Sequence, residues 1–345
     1  MDDDLRSVTA IILAAGQGTR MKSSLPKVLH LVAGKPLVIH AIENSQSTIT
    51  EKPVVVIGHG ADQVREAVGD LARFAIQHPQ LGTAHAVQAA KEALEGFNGL
   101  ILVFYADMPL FTKETMQRLV KTQRSNPGVM TMLSVFMDDP HGFGRVARKA
   151  DGSVQAIVEE AQADAATLAI HELNVGAYCF RSDWLWDALE RIKVSPKGEY
   201  YLTDTVELAV SENQRVECVV LDDPQEAIGI NTRVHLAEAE AILRRRINQR
   251  WMASGVTMID PSTTYIDQDV VLEPDTIIYP NTHLYGSTHI GTGCRIGPSV
   301  YIWDTVVENH CILGPEVALR NTTVKANQTI QFAMMDDDQN VLDME

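Results

Sequence analysis

Two glycines, two cations and one carboxylate are the residues of this 345-residue chain whose types and spacing first suggest chemistry. Gly16 and Gly18 follow directly on an apolar run, so backbone amides there can face an anion with no Cβ atoms in the way. Arg20 adds a planar fork of donors that matches phosphate oxygens, and Lys27, behind the stiff Pro26, adds a point charge. Asp107 follows the apolar stretch Gly99 to Tyr105, and a carboxylate just outside the end of a buried strand is a metal candidate. Read alone, the glycine pair is equally a plain strand and turn, and Asp107 equally a helix cap or turn residue. Two relatives of the glycine pattern are excluded. Met21 stands where a dinucleotide fingerprint needs its third glycine, and the spacing of a Walker loop is absent.

The elements that must position these groups follow from hydrophobic pattern. Val8 to Ala15 is short, β-branched and free of charge, as a strand buried on both faces is. Pro53 to Gly58, Phe74 to Gln77, Gly99 to Tyr105 and Gly128 to Phe136 predict further strands. Helical spacing over Leu37 to Ser45, Asp62 to Leu71, Ala86 to Leu94 and 113 to 124 separates them. That alternation predicts an α/β, Rossmann-like domain with a mainly parallel sheet. Val146 to Val158 predicts a hairpin turning at Ala150-Asp151-Gly152 and delivering Glu159 at its end. Trp184, Leu185, Trp186 and Leu189 have the spacing of a helix packed on the core.

Composition narrows the class. With 29 basic and 45 acidic side chains the formal charge is −16, which argues against nucleic-acid and anionic-membrane partners. The acidic start Met1-Asp2-Asp3-Asp4, no run of membrane-spanning length and four scattered cysteines lead to the expectation of a cytoplasmic protein with reduced thiols.

The whole string Leu13-Ala14-Ala15-Gly16-Gln17-Gly18-Thr19-Arg20-Met21, with Leu25-Pro26-Lys27-Val28-Leu29-His30 behind it, resembles the signature of bacterial N-acetylglucosamine-1-phosphate uridyltransferases. The resemblance implies UTP and a sugar 1-phosphate as substrates, Mg2+ as cofactor, and UDP-N-acetylglucosamine and pyrophosphate as products. It places Arg20 and Lys27 on the reacting phosphates and the backbone of Leu13, Ala14 and Gly16 on the nucleotide. Gln77 would bond the uracil edge, with Gly82 and Thr83 beside it; Thr83 reads equally as a helix N-cap. Asp107 and Asn231 would hold the metal. Gly144, Glu159, Asn174, Tyr201 and Thr203 would line the sugar site, while Asp204 and Thr232 read as caps of the helices that follow them. The chain departs from the family pattern at Ala106 for glycine, at Val175 for threonine and at Ala161 for a lysine. The first leaves the Asp107 carboxylate in position; the other two leave room for glucose 1-phosphate or dTTP as substrate. A non-catalytic nucleotide-sugar-binding scaffold is the alternative of another class.

From about Tyr265 the texture changes. Ile266, Leu272, Ile278, Leu284, Ile290, Ile296 and Ile302 recur every six residues; after a shift near Asp304 the expected register is Val306, Ile312, Ala318, Val324 and Ile330. This is the signature of a hexapeptide β-helix, short and left-handed by resemblance. The expected organisation is a nucleotidyltransferase domain over 1–231, a helical arm over 232–254, the β-helix over 255–332 and an acidic tail over 333–345 that covers the open end of the solenoid. The resemblance raises a homotrimer through the β-helix as an expectation. His283, His289 and His310 lie outside the family's acetyl-transfer motif, so no acetyltransferase activity is expected.

Overall fold

The computed structural model describes residues 7–331 and the backbone of Met334–Met335. The acidic start and nearly all of the expected tail, with its covering role, lie outside the described residues. The chain forms two compact units, one of Met1–His30 and Pro36–His235, the other of Leu31–Lys35 and Leu236–Glu345.

The first unit is built on a nine-stranded sheet. In chain order its strands are β1 (Val8–Leu13), β2 (Val54–Ile57), β3 (Arg73–Ile76), β4 (Leu100–Tyr105), β5 (Met130–Phe136), β6 (Arg145–Arg148), β7 (Val154–Val158), β8 (Glu172–Arg181) and β9 (Val216–Val220). The spatial order is β9-β5-β8-β4-β1-β2-β3, with the β6/β7 hairpin attached to β8. Only β8 runs against its neighbours in that path. Every residue of β1 is buried, and its side chains divide with the period of two that a strand imposes. Val8, Ala10 and Ile12 pack with Val38, Ile42, Met116 and Leu119 of the helices on one face. Ile11 and Leu13 pack with Val87, Leu185 and Val206 of those on the other. Trp184 and Trp186 are half-buried against the second face, as the core reading expects. After β1 the chain goes to β2 and β3 on one side and returns to β4 on the other. The carboxyl ends of β1 and β4 are therefore the switch point where open sheets leave a crevice.

The second unit is a short left-handed parallel β-helix of three parallel sheets, with five, five and four strands. Ile266, Leu272, Ile278, Leu284, Ile290, Ile296 and Ile302 all point inward, at most 3% exposed. The expected register fails in the next three hexads. Val307, Leu313 and Leu319 are the inward residues, and Val306 and Ile312 face solvent. Ladder partners explain the slip: Leu284 pairs Ile302, 18 positions on, but Ile290 pairs Val307, 17 positions on. The turn loses one residue at Asp304, whose φ of 45° an aspartate tolerates, and again at Asn321 with φ 47°. The second loss returns Val324 to the interior. Met334–Met335, counted with the tail, adds a further strand beside Ala318–Leu319.

A division at residue 231 also misses Leu31–Lys35, which belongs to the second unit. Ala33 N donates to Glu240 Oε2 at 2.7 Å, Ala33 O accepts from Gln268 N at 2.9 Å, and Lys35 Nζ pairs with Asp269 at 2.6 Å. The helix Arg233–Ala253 buries Ala239, Ile242, Leu243 and Ile247. Its buried Asn248 amide donates to Pro261 O and Thr264 O, tying the helix to the first coil.

Candidate active site

The crevice at the ends of β1 and β4 collects the charged candidates. Leu13 and Tyr105 are register partners, and Ala106 N donates to Leu13 O at 3.0 Å, so the loops after both strands leave side by side. Ile230 N donates to Asp107 O at 2.8 Å, which brings Asn231 to the same place. There Lys27 Nζ donates to Asp107 Oδ2 and, at 3.2 Å, to Asn231 Oδ1. Arg20 Nη2 donates to the same Asn231 oxygen at 3.0 Å. Residues 20, 27, 107 and 231 thus meet although the sequence scatters them. Arg233 braces the group, with its guanidinium reaching Met21 O and His30 Nδ1, each at 3.4 Å.

The two glycines have different reasons. A Cβ on Gly18, where φ is 61°, would lie 2.6 Å from Lys27 Cβ, so this glycine is needed to seat the lysine. A Cβ on Gly16 would meet no protein atom within 4 Å. Nothing inside the fold asks for a glycine there, and its open backbone suits an external anion.

The loop from Gln77 to Thr83 forms the next wall. Buried Gln77 donates to Gly82 O at 2.9 Å and sits 3.2 Å from His85 Nδ1. Gly82 has φ 100°, and a Cβ would stand 2.6 Å from Tyr200 O, so close backbone passage fixes its identity. Thr83 is not the N-cap of its helix: that position is Gly82, without a side-chain cap bond. Its Oγ1 instead accepts from Leu202 N at 2.9 Å, because the 200–202 segment runs alongside and offers an amide in better position.

Gly144, Glu159, Asn174 and Thr203 form a second polar cluster. Asn174 N donates to Gly144 O at 2.8 Å, Thr203 Oγ1 donates to Glu159 Oε1 at 3.1 Å, and a Cβ on Gly144 would come within 3.6 Å of Glu159 Oε2. The Asn174 amide donates to the Tyr178 hydroxyl at 2.8 Å across an irregularity in the β8/β5 ladder. The Tyr201 side chain is engaged by Ser195 and Glu199. Asp204 does not cap the next helix, which starts at Asp204 itself with Thr203 as its uncapped flank. Burial, then Glu207 and Glu159, push its carboxyl up to about 6. Thr232 does cap, accepting from His235 N at 3.2 Å.

Three participants escape a reading of the sequence. Tyr105 joins the clusters: its hydroxyl bonds Thr83, and burial together with the charges of Asp107 and Glu159 raises its pKa. A Cβ on Gly176, in that irregular stretch of β8, would strike its ring at 2.5 Å, so the glycine makes room for it. A hydroxyl-bearing residue ending an apolar central strand was the available signal. Glu160 anchors the 141–145 loop through Gly142 N at 2.8 Å, His141 at 3.1 Å and the buried Arg145 at 3.5 Å. Gln80 Nε2 donates to Ala15 O and pins the glycine loop from below.

The donor set fits a hard divalent ion. Asp107 and Asn231 offer a carboxylate and an amide oxygen that already converge on one cation, the Lys27 ammonium. Among the described residues no group of three or more His, Cys, Asp or Glu could hold a metal, so such an ion would take its remaining ligands from water and phosphate.

The model of the nucleotidyl transferase family matches residues 9–252, and that of the bacterial transferase hexapeptide (six repeats) matches residues 269–302. Three relatives carry the name bifunctional protein GlmU. That of an Exiguobacterium species is 43% identical over 94% of this chain and 72% of its own length. That of Exiguobacterium sibiricum is 43% identical over 95% and 70%, and that of Brevibacillus brevis 40% identical over 96% and 69%. With a match over most of its length and identities of 40% and above, the chain belongs to the nucleotidyl transferase family, in the branch of the bifunctional protein GlmU.

Proposed function

We infer that this chain makes UDP-N-acetylglucosamine and pyrophosphate from UTP and N-acetylglucosamine 1-phosphate. The observation that carries the reading is the meeting of Arg20, Lys27, Asp107 and Asn231 at the strand ends. A phosphate oxygen of the sugar phosphate attacks the α-phosphorus of UTP, the bond from that phosphorus to the bridging oxygen breaks, and pyrophosphate leaves. No covalent intermediate is needed, so the protein's work is positioning and charge neutralisation. Arg20 and Lys27 balance the charge on the triphosphate and the entering sugar phosphate. The open backbone at Gly16, with Leu13 and Ala14, cradles the nucleotide, and Gln77, Gly82 and Thr83 take its base. Gly144, Glu159, Asn174, Thr203 and Tyr201 take the acetamido sugar. Asp107 and Asn231 would hold Mg2+, which when bound supplies further neutralisation of phosphate charge.

No described helix is long and apolar enough to cross a membrane, and a UTP-consuming reaction suits the cytoplasm. The β-helix is proposed to assemble three copies; light scattering that returns the mass of one chain at micromolar concentration would refute this. Acetyl transfer is proposed to be absent. His283 is stacked between Tyr265 and Tyr301 and bonded to Tyr285, and His289 is paired with Glu273. Acetylation of glucosamine 1-phosphate from acetyl-coenzyme A would overturn that part alone.

The deciding experiment is pyrophosphate release with Mg2+ and a panel of sugar 1-phosphates and nucleotides. Preference for UTP with N-acetylglucosamine 1-phosphate is expected. Preference for glucose 1-phosphate or dTTP moves the specificity, and nucleotide-sugar binding with silence across the panel puts the scaffold reading in its place.

A further inference from the structure

We infer that the free protein closes its own metal site with Lys27, whose ammonium holds the two oxygens a divalent ion depends on and releases them when nucleotide phosphates offer it anions in exchange. The inference rests on reading Asp107 and Asn231 as the metal pair. Lys27 Nζ donates to Asp107 Oδ2 and lies 3.2 Å from Asn231 Oδ1, and the two ion-paired side chains are only 14% and 18% exposed. An ammonium and a divalent ion cannot share those oxygens, because each would occupy the other's place and repel it. A metal arriving alone finds one carboxylate and one neutral amide, a sparse set for an octahedral ion. It competes there with a tethered cation whose effective concentration is on the order of millimolar.

The backbone of Lys27 stays put during such an exchange. Its Cβ sits over Gly18, where a methyl group would have to lie within 2.6 Å of it, and Pro26 precedes it. Only the side chain has to swing. Arg20 holds the amide oxygen alone and no part of the carboxylate, so it cannot close the site by itself. Metal and nucleotide then enter as a linked pair: the factor by which phosphates that draw Lys27 away tighten the metal is the factor by which metal tightens the nucleotide.

Mn2+ serves as the probe, titrated into the full chain without nucleotide and followed by the electron paramagnetic resonance signal of the free ion. Lys27→Met is expected to bind Mn2+ about tenfold or more tighter than the parent chain, and Arg20→Met less than about threefold tighter. Adding Asp107→Asn to Lys27→Met should abolish the gain. Equal gains in the Lys27 and Arg20 variants would reduce the effect to charge repulsion and overturn the inference, as would a Lys27 variant that binds no tighter. If Lys27→Met gains nothing while Asp107→Asn weakens the parent chain, the metal pair stands and the exchange fails. If Asp107→Asn changes nothing in either background, the metal pair itself is wrong. Should Lys27→Met misfold by near-ultraviolet circular dichroism, Lys27→Gln takes its place with the same expectations.

Discussion

The two units treat unusual residues in opposite ways. In the β-helix each oddity is answered from within. The buried hydroxyl of Thr276 donates to Gly291 O at 2.8 Å and that of Thr282 to Gly297 O at 3.2 Å, while Asp304 Oδ1 accepts from Ser287 N at 2.9 Å. A Cβ on Gly297 would collide with the backbone of Gly314 at 2.7 Å, so the next coil explains the glycine. At the ends of β1 and β4 the reasons point outward. Gly16 faces open space, and two cations crowd one amide oxygen. Residues whose demands are met internally are architecture; residues that break local rules without an internal answer mark a site.

The largest effect that separates the two units is on turnover. Asp107→Ala should lower the rate of pyrophosphate release by about a hundredfold to a thousandfold, with the thermal midpoint of unfolding nearly unchanged. A variant keeping its rate with Mg2+ present would break the contrast at its centre.

Next comes a neighbouring pair in the β-helix that tests the register slip. Leu313 is 1% exposed and Ile312 is 44% exposed. Leu313→Ala should cost about 2–5 kcal/mol of stability, and Ile312→Ala no more than about 0.5 kcal/mol. Denaturant unfolding reads both, and neither should move the KM for UTP. Reversed costs would restore the register expected from the sequence, with Ile312 inward.

Gly16→Ala sharpens the comparison between glycines. With no protein atom near the new methyl group, stability should hold, while the KM for UTP rises about tenfold, the equivalent of about 1.4 kcal/mol. A large loss of stability with normal kinetics would give Gly16 a structural role after all.

The smallest effect concerns Asp204. Its carboxyl rises from 3.8 to about 6 in the fold, so the native state holds the proton more tightly than the unfolded chain. The stability this group contributes is complete below pH 3.8 and is lost as pH rises through about 6. Asp204→Asn should therefore stabilise the protein by about 1 kcal/mol at pH 8 and by little at pH 4. Urea midpoints at both values check it, and a gain of equal size at pH 4 would contradict the burial account.

How much of this was legible in the sequence depends on whether a residue's reason is local. β1 and the first seven hexad anchors follow from periodicity alone, because burial repeats with the backbone. A shift near Asp304 follows too, but its size does not, because Val306-Val307 and Ile312-Leu313 offer two apolar residues in a row and the pattern cannot choose between them. The cap reading of Thr83 failed because a tertiary neighbour, the Leu202 amide, takes its hydroxyl, and that of Asp204 because the helix begins one residue earlier, with Asp204 already inside it. Leu31–Lys35 joins the second unit through bonds to residues more than 200 positions away. Arg20, Lys27 and Asp107 stand out by residue type and position, but their meeting with Asn231 was legible only through resemblance, since no spacing links residues 20 and 27 to 107 and 231.

The most direct test of the account follows the phosphorus atoms. UTP labelled separately at its α- and γ-phosphorus is incubated with the protein, Mg2+ and N-acetylglucosamine 1-phosphate, and the products are separated. The α label is expected in UDP-N-acetylglucosamine and the γ label in pyrophosphate, in equal amounts. A γ label released as orthophosphate, or carried onto the sugar, would contradict it.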